Sequence, residues 1–180
     1  PYISSQLAPA LEMTEQLVRG IELVKEAVGA ESARIEIYKE LGDSPVVIGE
    51  ELGGIPVDRV GAGYPADNSL IQKHREDQAL VFGACALIHL ARAVDEKIAQ
   101  TTVFVTVAGD GVTASVNLEV SLDKTVGEIL RQFGLSDETS RVVVGGSMRG
   151  VTITDLDSTR VTAQTRGILA MREVFKDYNY

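Results

Sequence analysis

Two glycine-rich loops are the places where this sequence could bind a ligand. The first loop covers residues 61–69 (GAGYPADNS) and the second covers residues 145–150 (GGSMRG). Glycines let a phosphate or another small ligand come close to backbone N–H groups. A structural role is the alternative in each case: a strand-to-helix connection for the first loop and a tight turn with positive φ for the second.

The cysteine and the two histidines do not predict a metal site or a catalytic centre. Cys85 and His89 lie four residues apart and would share one face of a helix, but two ligands are too few for a stable zinc site. We therefore interpret both as core residues. His74 lies in a polar run and is predicted to be solvated.

Paired carboxylates at residues 50–51 and at Asp155 and Asp157 raise the question of acid–base chemistry. No histidine, serine or metal-ligand spacing accompanies either pair, so they are interpreted as surface carboxylates. No catalytic residue and no metal ligand is predicted from this sequence.

Composition limits the classes of function. The chain has 180 residues, of which 44% are apolar, so it can form a packed core. The net charge of −9 argues against nucleic-acid binding, which needs clustered basic residues. Cys85 is the only cysteine, so this chain alone forms no intrachain disulfide and no cysteine-ligated iron–sulfur cluster. The sequence shows neither a membrane-length apolar run nor a signal peptide, and a cytoplasmic location is predicted.

Helices and strands alternate in the N-terminal half of the sequence. Their apolar residues recur at helical or strand spacing, which predicts an α/β layer over residues 1–100. The predicted elements are an amphipathic helix over residues 10–28 that ends at Gly29, a strand over 33–38, one or two helical turns over 45–52, a strand over 55–60 and a buried helix over 76–98.

A second module is predicted to begin near residue 100, where strand-forming residues become frequent. Thr125 and Glu128 have the spacing of a capping box, which predicts the start of a short helix. The predicted order of strand, strand, helix and strand is typical of a small β-grasp-like module over residues 101–153. Residues 154–180 are less regular and are interpreted as a C-terminal extension. The predicted strands cover residues 102–107, 114–120 and 141–144.

Several segments, in chain order, resemble the C subunit of Rnf-type ion-translocating electron transport complexes. Residues 103–109 resemble the opening of its soluble-ligand-binding β-grasp module. Residues 145–150 resemble its Gly-Gly-Pro-Met-x-Gly loop, with Ser147 in place of the proline. The chain resembles the flavin subunit of respiratory complex I more distantly. Further matching segments are residues 1–3, 63–65 followed by 70–71, and 155–157 followed by 165–169.

The resemblance implies a fold and two sets of site residues. The fold is α/β (α+β): a partial Rossmann-like layer, the remainder of a flavin-type domain, followed by a ubiquitin-like β-grasp module. The implied flavin-loop positions are Gly63, Tyr64, Pro65, Asp67 and Asn68, of which the last two stand where the family has Gly and Glu. The implied ligand or docking loop consists of Gly145, Gly146, Ser147, Met148 and Gly150.

The family passes electrons from NADH through FMN and [4Fe-4S] clusters. Its nucleotide-binding glycine loop and its cysteine-rich segment have no counterpart in this sequence, so we expect no cofactor within this chain. The chain is interpreted as a fragment or divergent relative of an oxidoreductase subunit, peripheral to the membrane through partner subunits. The alternative is a non-catalytic module that binds a small molecule or assembles partners. A third hypothesis, an independent enzyme, has no residue set to support it.

Overall fold

The computed structural model describes residues 3–39, 48–61, 66–75, 77–146 and 149–172. The chain divides into two compact units. The first unit is Pro9–Ala99, and the second unit combines Pro1–Ala8 with Gln100–Tyr180. The described elements are helices and two mixed sheets, so the fold class is α+β. The second unit is larger than the module predicted over residues 101–153, because it also includes Pro1–Ala8 and the residues after 153.

Four described helices precede residue 100. Helix α2 confirms most of the predicted amphipathic helix, although a break at Met13 separates it from α1. Gly29 has a φ of 66° and donates its N–H to the Glu26 carbonyl, which ends α2 as predicted. The helices are α1 (Leu7–Glu12), α2 (Thr14–Val28), α3 (Ala66–Arg75) and α4 (Ala84–Ala91), and α4 continues into a π-helical turn over Arg92–Glu96.

The sheet of the first unit has three strands in the order β1-β3-β2. Strands β1 (Ile35–Tyr38) and β3 (Ile55–Val60) are parallel, and β2 (Glu51–Leu52) is antiparallel to β3. The predicted helical turns over residues 45–52 are therefore wrong at β2, while residues 45–47 lie outside the described residues. Two consecutive glycines with positive φ, the pattern of a tight hairpin turn, connect β2 to β3: Gly53 and Gly54.

The predicted buried helix over residues 76–98 is wrong in its first part. Helix α4 begins only at Ala84, where the backbone of Gly83 serves as its N-cap. The segment ahead of it has no regular structure, and Leu80, Val81 and Phe82 are 63%, 43% and 48% exposed. An apolar run at helical spacing therefore does not by itself show that the run is buried.

The second unit contains a five-stranded sheet in the order β5-β4-β8-β6-β7. Strands β4 and β8 are parallel, and the other neighbouring pairs are antiparallel. Strand β8 lies in the centre of the sheet, although its residues fall in the segment that the sequence presents as an extension. The elements are β4 (Thr102–Ala108), β5 (Val116–Ser121), α5 (Val126–Gln132), β6 (Arg141–Val144), β7 (Val151–Ile153) and β8 (Gly167–Met171).

Helix α5 packs across one face of this sheet. The predicted capping box is confirmed: Thr125 Oγ1 accepts from the Glu128 N–H at 3.2 Å, and Glu128 Oε2 accepts from the Thr125 N–H at 2.8 Å. The cap fixes the start of α5 so that its apolar side faces the strands. The centre of this core consists of the buried side chains of Val105, Val107, Val126, Ile129, Leu130 and Ile168.

Candidate functional site

The second glycine-rich loop follows β6 and is described at Gly145, Gly146, Arg149 and Gly150. Gly145 has a positive φ of 111°, and its N–H donates to the Gly167 carbonyl oxygen at 2.8 Å. The Gly150 N–H donates to the Gly146 carbonyl oxygen at 2.7 Å, so the described ends of the loop are close together. The geometry supports the tight-turn interpretation for Gly145. Two of the predicted loop positions lie outside the described residues: Ser147 and Met148.

The N-terminal segment packs at the base of this loop. A Cβ added to Gly167 would lie 2.5 Å from Ile3 Cδ1 and 2.8 Å from the Gly145 carbonyl oxygen. Glycine at position 167 therefore lets both Ile3 and the Gly145 carbonyl lie this close to the backbone of β8. Ile3 also packs against a small cluster on the sheet, formed by the buried residues Ala108, Val143 and Leu169.

Hydrogen bonds hold the same N-terminal segment on the sheet. The Ser4 N–H donates to Thr106 Oγ1 at 3.0 Å, and the Ser4 hydroxyl donates to Asn117 Oδ1 at 3.0 Å. Thr106 Oγ1 in turn donates to Asn117 Oδ1 at 2.7 Å, while Ser5 is 1% exposed. Sequence analysis missed this contact because residues about a hundred positions apart leave no local signal.

Asp155 organises the loop that follows β7. Its Oδ1 accepts from the backbone N–H of Asp157 at 3.1 Å and of Ser158 at 3.0 Å. Hydrogen bonds from the Ser158 side chain and then from its backbone hold the pKa of the Asp155 carboxyl below its ordinary value. Asp155 thus stabilises a turn, which agrees with its interpretation as a surface carboxylate.

The loop that contains Asp157 packs against helix α5 and forms hydrogen bonds with its N-terminal end. Arg131 Nη2 donates to Asp157 Oδ1 at 2.6 Å. The N–H groups of Val126 and Gly127 donate to the carbonyl oxygens of Thr159 and Leu156, both at 2.8 Å. These two helix donors therefore have backbone partners, and the loop has a structural role at this end of the helix.

The first glycine-rich loop is described only at its two ends. Gly63, Tyr64 and Pro65 lie outside the described residues, as does the side chain of Asp67. Asn68 is exposed in helix α3, which sequence analysis did not predict. The flavin-loop assignment of these five positions stays a prediction.

Cys85 and His89 both lie in the core of the first unit. They belong to helix α4 and are 9% and 8% exposed, as expected for core residues. In the ranges that the structure describes, no cluster of His, Cys, Asp and Glu side chains is arranged to hold a metal ion.

His74 is the polar residue that sequence analysis placed wrongly. Its side chain is 12% exposed, and Nε2 lies 2.8 Å and 2.9 Å from the two carboxylate oxygens of Glu36. The Glu36 side chain is 13% exposed and extends from strand β1. The bond therefore attaches α3 to β1, and no spacing in the sequence indicates it.

Comparisons with known proteins do not assign the chain to a family. No family model matches it, and no curated protein gives a match. Across its described residues, the chain has no helix long and apolar enough to cross a membrane.

Proposed function

We propose that the second unit is a ubiquitin-like β-grasp module that docks a partner or binds a small soluble molecule. The position of β8 carries this proposal. Strand β8 lies between β4 and β6 and runs parallel to β4, while α5 packs across the sheet. A closing strand that returns to the centre beside the first strand is the arrangement expected of a β-grasp fold.

The first unit is proposed to be the remainder of a flavin-type, Rossmann-like layer. Two features support the proposal: the parallel pairing of β1 with β3, and the pairing of helices α2 and α4. Parallel strands accompanied by helices are typical of α/β layers. The flavin loop of the resembled family would correspond to Gly63, Tyr64, Pro65, Asp67 and Asn68.

Together the two units are proposed to serve an electron-transfer subunit of an ion-translocating oxidoreductase. The redox steps, from NADH through FMN and [4Fe-4S] clusters, would belong to cofactors held outside these 180 residues. This chain would position those carriers through the 145–150 loop and would associate with the membrane from the cytoplasmic side through its partners. The ordered resemblance of segments in both units supports this assignment.

Affinity capture of the tagged chain from its own cells, without oxygen, tests the proposed function. We expect the purified chain alone to be colourless, and the captured assembly to contain flavin and iron–sulfur absorbance and to oxidise NADH. A Gly167→Val control, which disrupts the base of the 145–150 loop, should capture less of both chromophores. An assembly without chromophores or NADH oxidation would contradict the electron-transfer assignment, and a stoichiometric flavin on the isolated chain would contradict the cofactor-free assignment.

The exposed apolar segment before α4 favours a second candidate, a non-catalytic assembly module. Three consecutive large apolar residues are exposed there, Leu80, Val81 and Phe82, as at a protein interface. In this case capture should yield a defined partner complex that lacks flavin and iron–sulfur absorbance. The same capture experiment therefore separates the two candidates.

A further inference from the structure

Two arginines lie at the end of the sheet where the second glycine-rich loop begins. Strand β6 lies between β8 and β7, and Gly145 directly follows β6. Gly145 donates its N–H to the Gly167 carbonyl oxygen at 2.8 Å, and a Cβ built on Gly145 would lie 3.0 Å from Gly150 Cα. Arg166 directly precedes Gly167, and Arg149 directly precedes Gly150. Because neighbouring strands are about 5 Å apart, the backbones of the two arginines are separated by about 10 Å across the end of β6.

Gly146 follows Gly145 and therefore lies between these two arginines. A Cβ on Gly146 would meet no atom of the described residues within 4 Å. Its carbonyl oxygen accepts from the Gly150 N–H, but its own N–H has no hydrogen-bond partner in the part of the chain that the structure describes. Since residue 146 has no side chain, a ligand can come close to this N–H group.

The side chains of Arg149 and Arg166 carry positive charges that no described group balances directly. Both residues are exposed, and neither side chain forms a hydrogen bond or an ion pair with a described residue. The other described basic side chains of the second unit each have a partner: Lys124 with Glu128, Arg131 with Asp157, Arg141 with Met171, Arg160 with the Asp123 carbonyl and Arg172 with Glu138. An anion that binds Arg149 and Arg166 therefore displaces no ion pair between described residues.

We propose that Gly146, Arg149 and Arg166 form a binding site for the phosphate group of a small soluble molecule. The proposal rests on the small-molecule function proposed for the second unit and names the chemistry of that molecule. Each guanidinium group presents its N–H donors in a planar fork that fits phosphate oxygens, and the Gly146 N–H supplies a further donor. A phosphate monoester has a charge of about −1.5 to −2 near pH 7, which matches two arginines better than the single charge of a carboxylate does.

Titration of the full chain with inorganic phosphate at constant ionic strength, followed by the NMR signals of the backbone amides, tests the site. We expect saturable shifts of the Gly146 and Gly167 amides, with a dissociation constant on the order of 1 mM. Acetate, which carries one charge, should bind at least about fivefold more weakly. The absence of saturable shifts with phosphate would overturn the proposal, and an equal affinity for acetate would overturn the assignment to phosphate.

Three substitutions that remove the same charge separate a specific site from a general effect of net charge. Arg149→Gln and Arg166→Gln should each raise the dissociation constant for phosphate at least about fivefold, because each removes one guanidinium fork. Arg172→Gln removes a positive charge just beyond the opposite end of β8 and should change the constant by less than about twofold. Equal weakening in all three variants would overturn the proposal. If one of the two site variants does not fold, the other provides the comparison.

Phosphate binding is measured on the isolated chain, so its result is independent of the capture experiment. A captured assembly without chromophores would contradict the electron-transfer assignment even if phosphate binds at these residues. An absence of phosphate binding would contradict the site even if the captured assembly contains both chromophores.

Discussion

Gly20 of helix α2 lies directly against the backbone of Leu87 in helix α4. A Cβ at position 20 would overlap the Leu87 carbonyl group, so this close helix crossing requires glycine. The contact is made within the first unit, where Leu17 and Ile21 of α2 are also buried. The two helices can pack this closely because residue 20 has no Cβ atom.

Gly20→Ala is expected to destabilise the first unit by about 1–3 kcal/mol, because overlap with the Leu87 backbone exceeds the gain in helix propensity. Gly61→Ala is the matched control, since a Cβ there meets no atom of the described residues within 4 Å. Urea unfolding followed by circular dichroism measures the difference in free energy of unfolding. A Gly20→Ala protein as stable as the Gly61→Ala protein would refute the close crossing.

The contact between Ile3 and Gly167 predicts non-additive mutational effects. Gly167→Ala should destabilise the second unit by about 1–3 kcal/mol, because its new methyl group meets Ile3 and the Gly145 carbonyl. In an Ile3→Ala background the same substitution should cost less, by at least about 0.5 kcal/mol. Thermal or urea unfolding of the four proteins in this cycle gives the coupling free energy, and purely additive effects would contradict the contact.

Because of Glu128, we expect the stability of the second unit to fall at acid pH. Its pKa is held below the ordinary value, first by the Thr125 backbone N–H and then by Lys124. Because a carboxylate with a lowered pKa stabilises the fold above its unfolded pKa, this stability is lost as the pH falls through the folded value. Glu128→Gln should therefore flatten the acid side of a plot of Tm against pH, below the ordinary glutamate value of about 4.3.

Thr125→Ala is the control for that experiment. It removes the cap hydroxyl but keeps the backbone N–H that is the largest cause of the Glu128 shift. We expect a loss of about 1 kcal/mol at all pH values and a largely preserved acid slope. Identical pH profiles for the Glu128→Gln and unsubstituted proteins would count against the predicted linkage.

Apolar residues in the exposed segment before α4 should contribute much less to the free energy of unfolding than apolar residues within α4. Leu80→Ser should change the free energy of unfolding by less than about 0.5 kcal/mol, because Leu80 is 63% exposed. Ile88→Ala in α4 should cost about 2–5 kcal/mol, since Ile88 is 0% exposed. Chemical denaturation of both variants measures the two changes in the free energy of unfolding. A loss for Leu80→Ser as large as that for Ile88→Ala would show that Leu80 is buried, as in the predicted longer helix.

Local sequence patterns correctly predicted those elements that depend on interactions between residues close together in the chain. The α2 periodicity and the pairing of Thr125 with Glu128 act over a few residues, so both were predicted correctly. Helix α3 has few apolar positions, and Leu70 is the buried one among those whose side chains are described. Strand β8 is an apolar run without alternation, and its pairing with β4 and β6 defines it. The His74–Glu36 bond joins positions too distant for any spacing rule to find.

Ser4 and Thr106, which share a hydrogen bond, are separated by 102 positions in the chain. As the polypeptide leaves the ribosome, Ile3 therefore emerges long before the strands on which it packs. The apolar patch of Ala108, Val143 and Leu169 can be covered by Ile3 only after synthesis has passed β8. Closing so large a loop is entropically costly and follows the nearer pairings, so attachment of the N-terminal segment should be a late event in the maturation of the molecule.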